Sequence, residues 1–238
     1  MLSSFAIIIL TALIHTSFQL SVSVFTHLSG HAIGAKIAHA KVLRLESSFI
    51  LGVFVMTMLM LTFTAFTFQH LFITSAPPLM WSVACGLLLG LGVAVWVFYY
   101  RRGNGTMLWL PRGVARHLSE RSKATTHSAE AFNLGLGSVA GELLFIFVPI
   151  VIASLALIQL EPIWQLAGVA VYTFISLLSL IVVYILVGSG HKLSQIQKWR
   201  EHNKRFLQFA AGGGLLILGF YVYVDQVIAT TVLAYGGA

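Results

Sequence analysis

The sequence predicts an all-α, polytopic membrane protein: six transmembrane helices arranged as two inverted three-helix repeats, with both termini outside the cell. Three observations lead there. Of 238 residues, 58% are hydrophobic and 9% charged, whereas about a quarter of the residues of soluble domains are charged. Six apolar runs each exceed the roughly 20 residues that a helix needs to cross a bilayer. All 14 Lys and Arg residues lie in three of the connections between those runs.

The runs cover residues 3–28, 47–70, 77–100, 132–158, 164–188 and 207–234. The first has no preceding Lys or Arg and is too long for the apolar segment of a secretory signal, so it is expected to remain as a span. The first connection (29–46) holds Lys36, Lys41 and Arg44, and the third (101–131) holds Arg101, Arg102, Arg112, Arg116, Arg121 and Lys123. The fifth (189–206) holds Lys192, Lys198, Arg200, Lys204 and Arg205. The second and fourth connections and both termini hold none. Cytoplasmic loops carry the excess of Lys and Arg, so the odd-numbered connections are expected inside. The excess of cations over the 7 acidic residues thus reads as topology and not as nucleic-acid binding.

Each span has its own signature. The first carries a polar stripe of Thr16, Gln19, Ser23, Thr26, His27 and Gly30, and such groups prefer to face other helices. His27 and His31 are four residues apart on one face and could share a metal ion, with His39 and Glu46 within reach of the same end. A zinc site needs a third and a fourth ligand. Thr57, Thr64 and Thr67 in the second span, and Tyr172, Ser176 and Ser179 in the fifth, read as seam residues. In the third connection Leu110, Val114 and Leu118 recur every four residues while Arg112, Arg116 and Arg121 point elsewhere. This predicts a short basic amphipathic helix on the inner leaflet, anchored by Trp109. Gly188 and Gly190 are expected to end the fifth span, and the basic stretch before Leu207 to extend the sixth.

The fourth span is the most informative. Gly135, Ser138, Glu142 and Pro149 fall on one face at 100° per residue. A carboxylate at that depth costs about 2.5–3.5 kcal/mol unless it faces protein or water, so this face is expected to point inward. Glu142 with Gln19, Ser23, Ser138 and Asn133 then makes a candidate substrate or proton pathway. Asp225, near the outer end of the sixth span, is the second acidic group read into a span.

Ala84–Val95 (ACGLLLGLGVAV) and Ala211–Val222 (AGGGLLILGFYV) are identical at seven of twelve positions. Ser17–Leu20 (SFQL) weakly matches Ala131–Leu134 (AFNL). Together they divide the chain into a first three-helix repeat (1–100), a basic cytoplasmic loop (101–130) and a second repeat (131–238). Three spans per repeat is odd, so the halves would be inverted, the architecture of many secondary transporters.

This layout, the basic middle loop, and the run from WREHNKR (199–205) into GGGLLILGFYV (212–222) resemble the lysine-exporter-like superfamily of six-helix membrane proteins. The resemblance implies export of a small solute or an ion. The chain departs from it in lacking the Pro-Gly-Pro-like element of the amino-acid exporters in the first span. It also lacks the cysteine pair of the thiol-transferring relatives, since Cys85 is alone, and a carboxylate in the first span.

No phosphate-binding glycine loop, HExxH, nucleophile elbow or GxGxxG is present, so neither an enzyme nor a cofactor is expected. The expected function is a multi-pass transporter of the cell (inner) membrane, exporting a small solute or cation in exchange for protons through Glu142. Its partners would be the bilayer and its cargo, with a homodimer open to it. The alternative is a non-transporting membrane subunit or scaffold whose polar stripes are packing seams. A reporter fused at Ala238 that works only outside the cytoplasm is expected to be active; activity of a cytoplasm-only reporter there would overturn the six-span reading.

Overall fold

The computed structural model describes residues 1–18, 20–34, 39–72, 76–98, 112–190 and 193–229, without the side chains of 31–34 and 112–116. Every element among them is helical: α1 (Leu2–Ser17), α2 (Leu20–Gly34), α3 (His39–Leu71), α4 (Pro78–Phe98), α5 (Arg112–Ala124), α6 (Ser128–Leu157), α7 (Pro162–Ser176), α8 (Leu178–Gly188), α9 (Leu193–His202) and α10 (Lys204–Val222), which runs into a π-helical turn at Tyr223–Ile228. α3, α4, α6 and Lys204–Ile228 are long and apolar enough to cross a membrane. The pairs α1–α2 and α7–α8 qualify only as bent units, at 44° and 48°. The described residues therefore hold four candidate spans, or six if each bent pair is one.

The two bends correct the expectation of continuous first and fifth spans. α1 ends where Phe18 turns extended (φ −74°, ψ 144°) and the Ser17 hydroxyl turns back to the Ile14 carbonyl at 2.6 Å. α7 ends at Leu177, just after Ser176 bonds back to the Thr173 carbonyl at 2.9 Å. Hydroxyls that bond back in this way compete with the helical ladder and bend it. Other boundaries differ as well. α3 begins at His39, eight residues before the expected 47, and so takes in Glu46. α9 is a separate helix, broken from α10 at Asn203. The expected anchor Trp109, and residues 230–234 of the last run, lie outside the described residues.

α6 is the central helix. Its amino end is closed by a capping box, in which Glu130 accepts from the backbone N–H groups of Thr126 (2.8 Å) and His127 (3.1 Å). From Val148 to Leu157 every residue is buried, so this last stretch faces protein on all sides. α6 packs along α3, and the approach is set by two glycines. A Cβ on Gly52 would collide with the Phe132 carbonyl, and one on Gly135 with the Phe49 carbonyl. The contacts at Gly52–Gly135 and at Ser154–Leu61 advance together along both chains, so α3 and α6 run in the same sense. α1 and α7 also run together, from Phe5 on Trp164 to His15 on Tyr172. α1–α2 runs against α6, from Phe18 on Phe145 to Ser21 on Ser138.

α4 and α10 also run antiparallel, and their contacts are reciprocal. Gly92 faces Leu216 at 3.0 Å, and Gly219 faces Leu89 at 2.9 Å, measured to a built Cβ. In the register of the sequence match, Gly92 corresponds to Gly219 and Leu89 to Leu216. At the other end Trp96 stacks on Phe209 at 5.5 Å and donates its indole N–H to the Phe209 carbonyl. The bends do not repeat in this way. The three-plus-three register pairs bent α1–α2 with unbroken α6, and unbroken α3 with bent α7–α8.

Overpacking a tight helix contact costs about 1–3 kcal/mol. Gly52→Ala and Gly135→Ala are each expected to lower stability by about that much, seen as a fall in melting temperature. Gly90→Ala, where nothing stands within 4 Å of the new methyl, is expected to leave it unchanged. Thermal unfolding of the detergent-solubilised variants checks both.

Candidate functional site: a carboxylate at a helix break

A helix that starts inside an apolar protein leaves its first N–H groups without intrahelical partners. At the start of α2 these are served from α6. The Leu20 N–H donates to Glu142 Oε1 at 2.7 Å, and the Ser21 hydroxyl donates to Oε2 at 2.9 Å. The Ser138 hydroxyl completes the cluster, 3.2 Å from the Ser21 oxygen and 2.8 Å from the Gly135 carbonyl. Negative charge is favoured at a helix amino end, where the peptide dipoles and the free N–H groups point. Glu142 thus caps a half-helix that is 122 residues away in the chain. The cluster is sealed: Glu142 is 3% exposed, Ser21 5% and Ser138 0%.

The second bend is closed by the same device in reverse. The Ser179 N–H, freed at the start of α8, donates to the Thr16 hydroxyl of α1 at 3.0 Å. One residue earlier, His15 Nδ1 lies 3.0 Å from the Tyr172 hydroxyl, both buried. The last turn of α1 therefore touches the α7–α8 bend, while the first turn of α2 holds Glu142.

The inward face read for α6 holds: Gly135, Ser138, Glu142 and Pro149 are all buried. Glu142 meets the first bent pair at Leu20 and Ser21. Gln19, expected as a partner, lies outside the described residues. Ser23 pairs elsewhere, accepting from Arg200 Nη2 at 2.8 Å. Arg200, read from sequence only as a loop cation, is 4% exposed.

Asn133 is not brought to Glu142. It is exposed on the opposite side of α6 and lines a groove of about 670 Å³ against α5, with His117, Arg121, Thr125 and Glu130. Residues 133 and 142 are nine apart, about 180° around the helix at 100° each, so the sequence alone separates them. Asp225 also lies apart. Its carboxylate accepts from Gln226 at 2.7 Å, and the Gln226 carbonyl oxygen accepts from Gln159 at 2.8 Å. Gln159 is 17 residues beyond Glu142, about 25 Å along the helix direction at 1.5 Å per residue.

Among the described residues no three His, Cys, Asp or Glu side chains converge as metal ligands. His27 is exposed, in the field of Arg200 and Lys123, which disfavours a metal cation. The His31 side chain lies outside the described residues. α5 forms as the basic loop predicted, with Leu118 buried and Arg121 exposed, but it packs against α2 and α6.

What sequence reading missed are the donors and partners supplied across the breaks: Ser21, the His15–Tyr172 pair, and the burial of Arg200 and Glu46. None has a local signature, since each is set by a residue far away in the chain. Compared with known proteins, the chain matches no protein family, no curated protein and no solved structure.

Truncating Glu142 would orphan a buried N–H group and a hydroxyl, at about 1–3 kcal/mol for each unsatisfied group. Glu142→Ala is therefore expected to lower stability strongly. Glu142→Gln, which keeps the shape and an acceptor for Leu20, is expected to cost far less. Denaturation midpoints of the two variants measured in one detergent check the order.

Proposed function

We propose that the chain is a six-span secondary transporter of the cell membrane, exporting a small solute or cation in exchange for protons through Glu142. The observation that carries this reading is an ionisable side chain buried deep in α6, at the amino end of a discontinuous helix. Secondary transporters place coupling and substrate groups at such half-helix ends, between inverted repeats. The reciprocal glycine–leucine contacts of α4 and α10 support inverted symmetry for those two helices. In this reading each bent pair is one span, Arg200 and the other cations lie inside, and both termini lie outside. The lysine-exporter-like resemblance belongs to the same proposal, through its layout and its last span.

A second reading is favoured by one observation. The seam between α2 and α6 is closed over Glu142, as it would be in a non-transporting subunit or scaffold. In the transporter reading this is an occluded conformer, in which neither side reaches the carboxylate.

The test is a growth screen of cells overproducing the full chain, against panels of amino acids and metal salts. The hit is then followed by pH-driven flux of that compound into everted membrane vesicles. Resistance and flux are expected for the wild type, and Glu142→Gln is expected to reduce both to background while the protein stays folded. No protective effect across the panels, or a Glu142→Gln variant as active as the wild type, would favour the scaffold.

A further inference from the structure

Glu142 is not the only carboxylate sealed in the bundle. Glu46 lies two turns into α3 and is 0% exposed. Among the described residues neither of its oxygens has a hydrogen-bond partner. Its neighbours along α3, Leu45 and Phe49, are buried, and Phe25 of α2 packs edge-on to Phe49 at 5.7 Å. The polar side chain that faces Glu46 is Ser29 of α2, whose hydroxyl is already committed to the Phe25 carbonyl at 3.0 Å.

No charged side chain of α2, α6, α7 or α8 acts on Glu46 among the described residues. On its own helix Arg44 is exposed and Lys41 half-buried. Tyr184 of α8 is engaged by Ser47, at 3.2 Å. His27, Arg200 and Lys123 form a separate group. Among the described residues an ionised carboxylate in such a place has lost its hydration with no cation in return, whereas a neutral acid loses far less.

The contrast with Glu142 is informative. Both touch one short helix, α2. Glu142 meets α2 at Leu20 and Ser21, with an N–H, an O–H and the helix amino end directed at it. Glu46 meets it at Ser29, nine residues or about 13 Å further on at 1.5 Å per residue, where the only donor among the described residues is a hydroxyl shared with the Phe25 carbonyl. One carboxylate has donors directed at it; the other, among the described residues, has only the Ser29 hydroxyl near it. Pairs of acids separated in this way are how proteins divide proton-holding roles.

We propose that Glu46 is a proton-binding site: its carboxyl holds a proton while α2 is seated on α3, and releases it to the water at that end when the seam opens. One proton leaves the carboxyl oxygen and one carboxylate remains, so the step needs no other reactant. Binding of the proton therefore favours the closed seam, and raising the pH favours the open one. This deepens the transporter reading, on which it rests for its use in coupling, by giving the α2–α3 seam an acid of its own.

The test is infrared spectroscopy of the full-length protein in phospholipid nanodiscs at neutral pH. The carbonyl-stretch band of a protonated carboxylic acid is read in H2O and in D2O. Part of that band is expected to be lost in Glu46→Gln and in Glu46→Leu, which replace the acid by neutral groups of similar volume, and that part is expected to persist in Glu142→Gln. Both Glu46 variants are expected to keep the helical signal and the melting temperature of the wild type. A band unchanged in Glu46→Gln would overturn the proposal. So would loss of folding in both Glu46 variants, or wild-type melting that depends on added sodium or potassium and loses that dependence in Glu46→Gln, which would mean a cation-held carboxylate. Failure of the Glu142 transport assay would leave this band where it is, so the two readings fail separately.

Discussion

Inside an apolar bundle a backbone N–H that loses its helical partner must find another, because no water is at hand to take its place. The structure breaks two of its helices in the interior, and each break is closed by one side chain from elsewhere. Glu142 closes the break before α2, and Thr16 closes the break before α8. Those two bonds tie α2 to α6 and α8 to α1. The His15–Tyr172 pair and the Ser21–Ser138 pair lie beside them. A cluster of the interior's polar groups thus gathers where the backbone is interrupted.

That arrangement depends in turn on how close α3 and α6 come. Glycines at 52 and 135 let each backbone lie against a carbonyl of the other. The crossing fixes which face of α6 looks at α3 and which is left for α2. Gly135 and Ser138 lie on the buried side with Glu142, so the same small residues serve both the helix approach and the carboxylate. The opposite side of α6, with Asn133 and Glu130, is left to the groove under α5.

The charged groups of the interior are arranged around α2. Glu142 stands at its first residues, Arg200 reaches Ser23 one turn on, and Glu46 faces Ser29 near its other end. A half-helix of 15 residues, bonded to one carboxylate and one guanidinium, is a mechanical unit with its own polar attachments. Its packing on α3 and α6 is apolar, through Phe25 and Phe49 among others. Changes of charge at its ends would bear directly on where it sits.

Much of the fold was legible in the sequence because its determinants are local. Apolar runs of spanning length, the clustering of cations between them and the amphipathic spacing of Leu110, Val114 and Leu118 need no partner to be read. The inward face of α6 was legible too, since helical periodicity alone puts Gly135, Ser138, Glu142 and Pro149 on one side, and a carboxylate there excludes lipid. Tertiary structure decided the rest. The first and fifth apolar runs carry no proline or glycine at Phe18 or Leu177 to mark a break, and a break is stable only if another helix supplies the missing bond. Hence Ser21 could not be chosen over Ser23 as the partner of Glu142, nor Arg200 recognised as buried. Glu46, two residues after Arg44 and five after Lys41, read as part of that basic connection because only packing of α2 on α3 removes it from water. Local pattern determines which elements form and which face turns inward; which donor meets which acceptor is settled between residues more than a hundred positions apart.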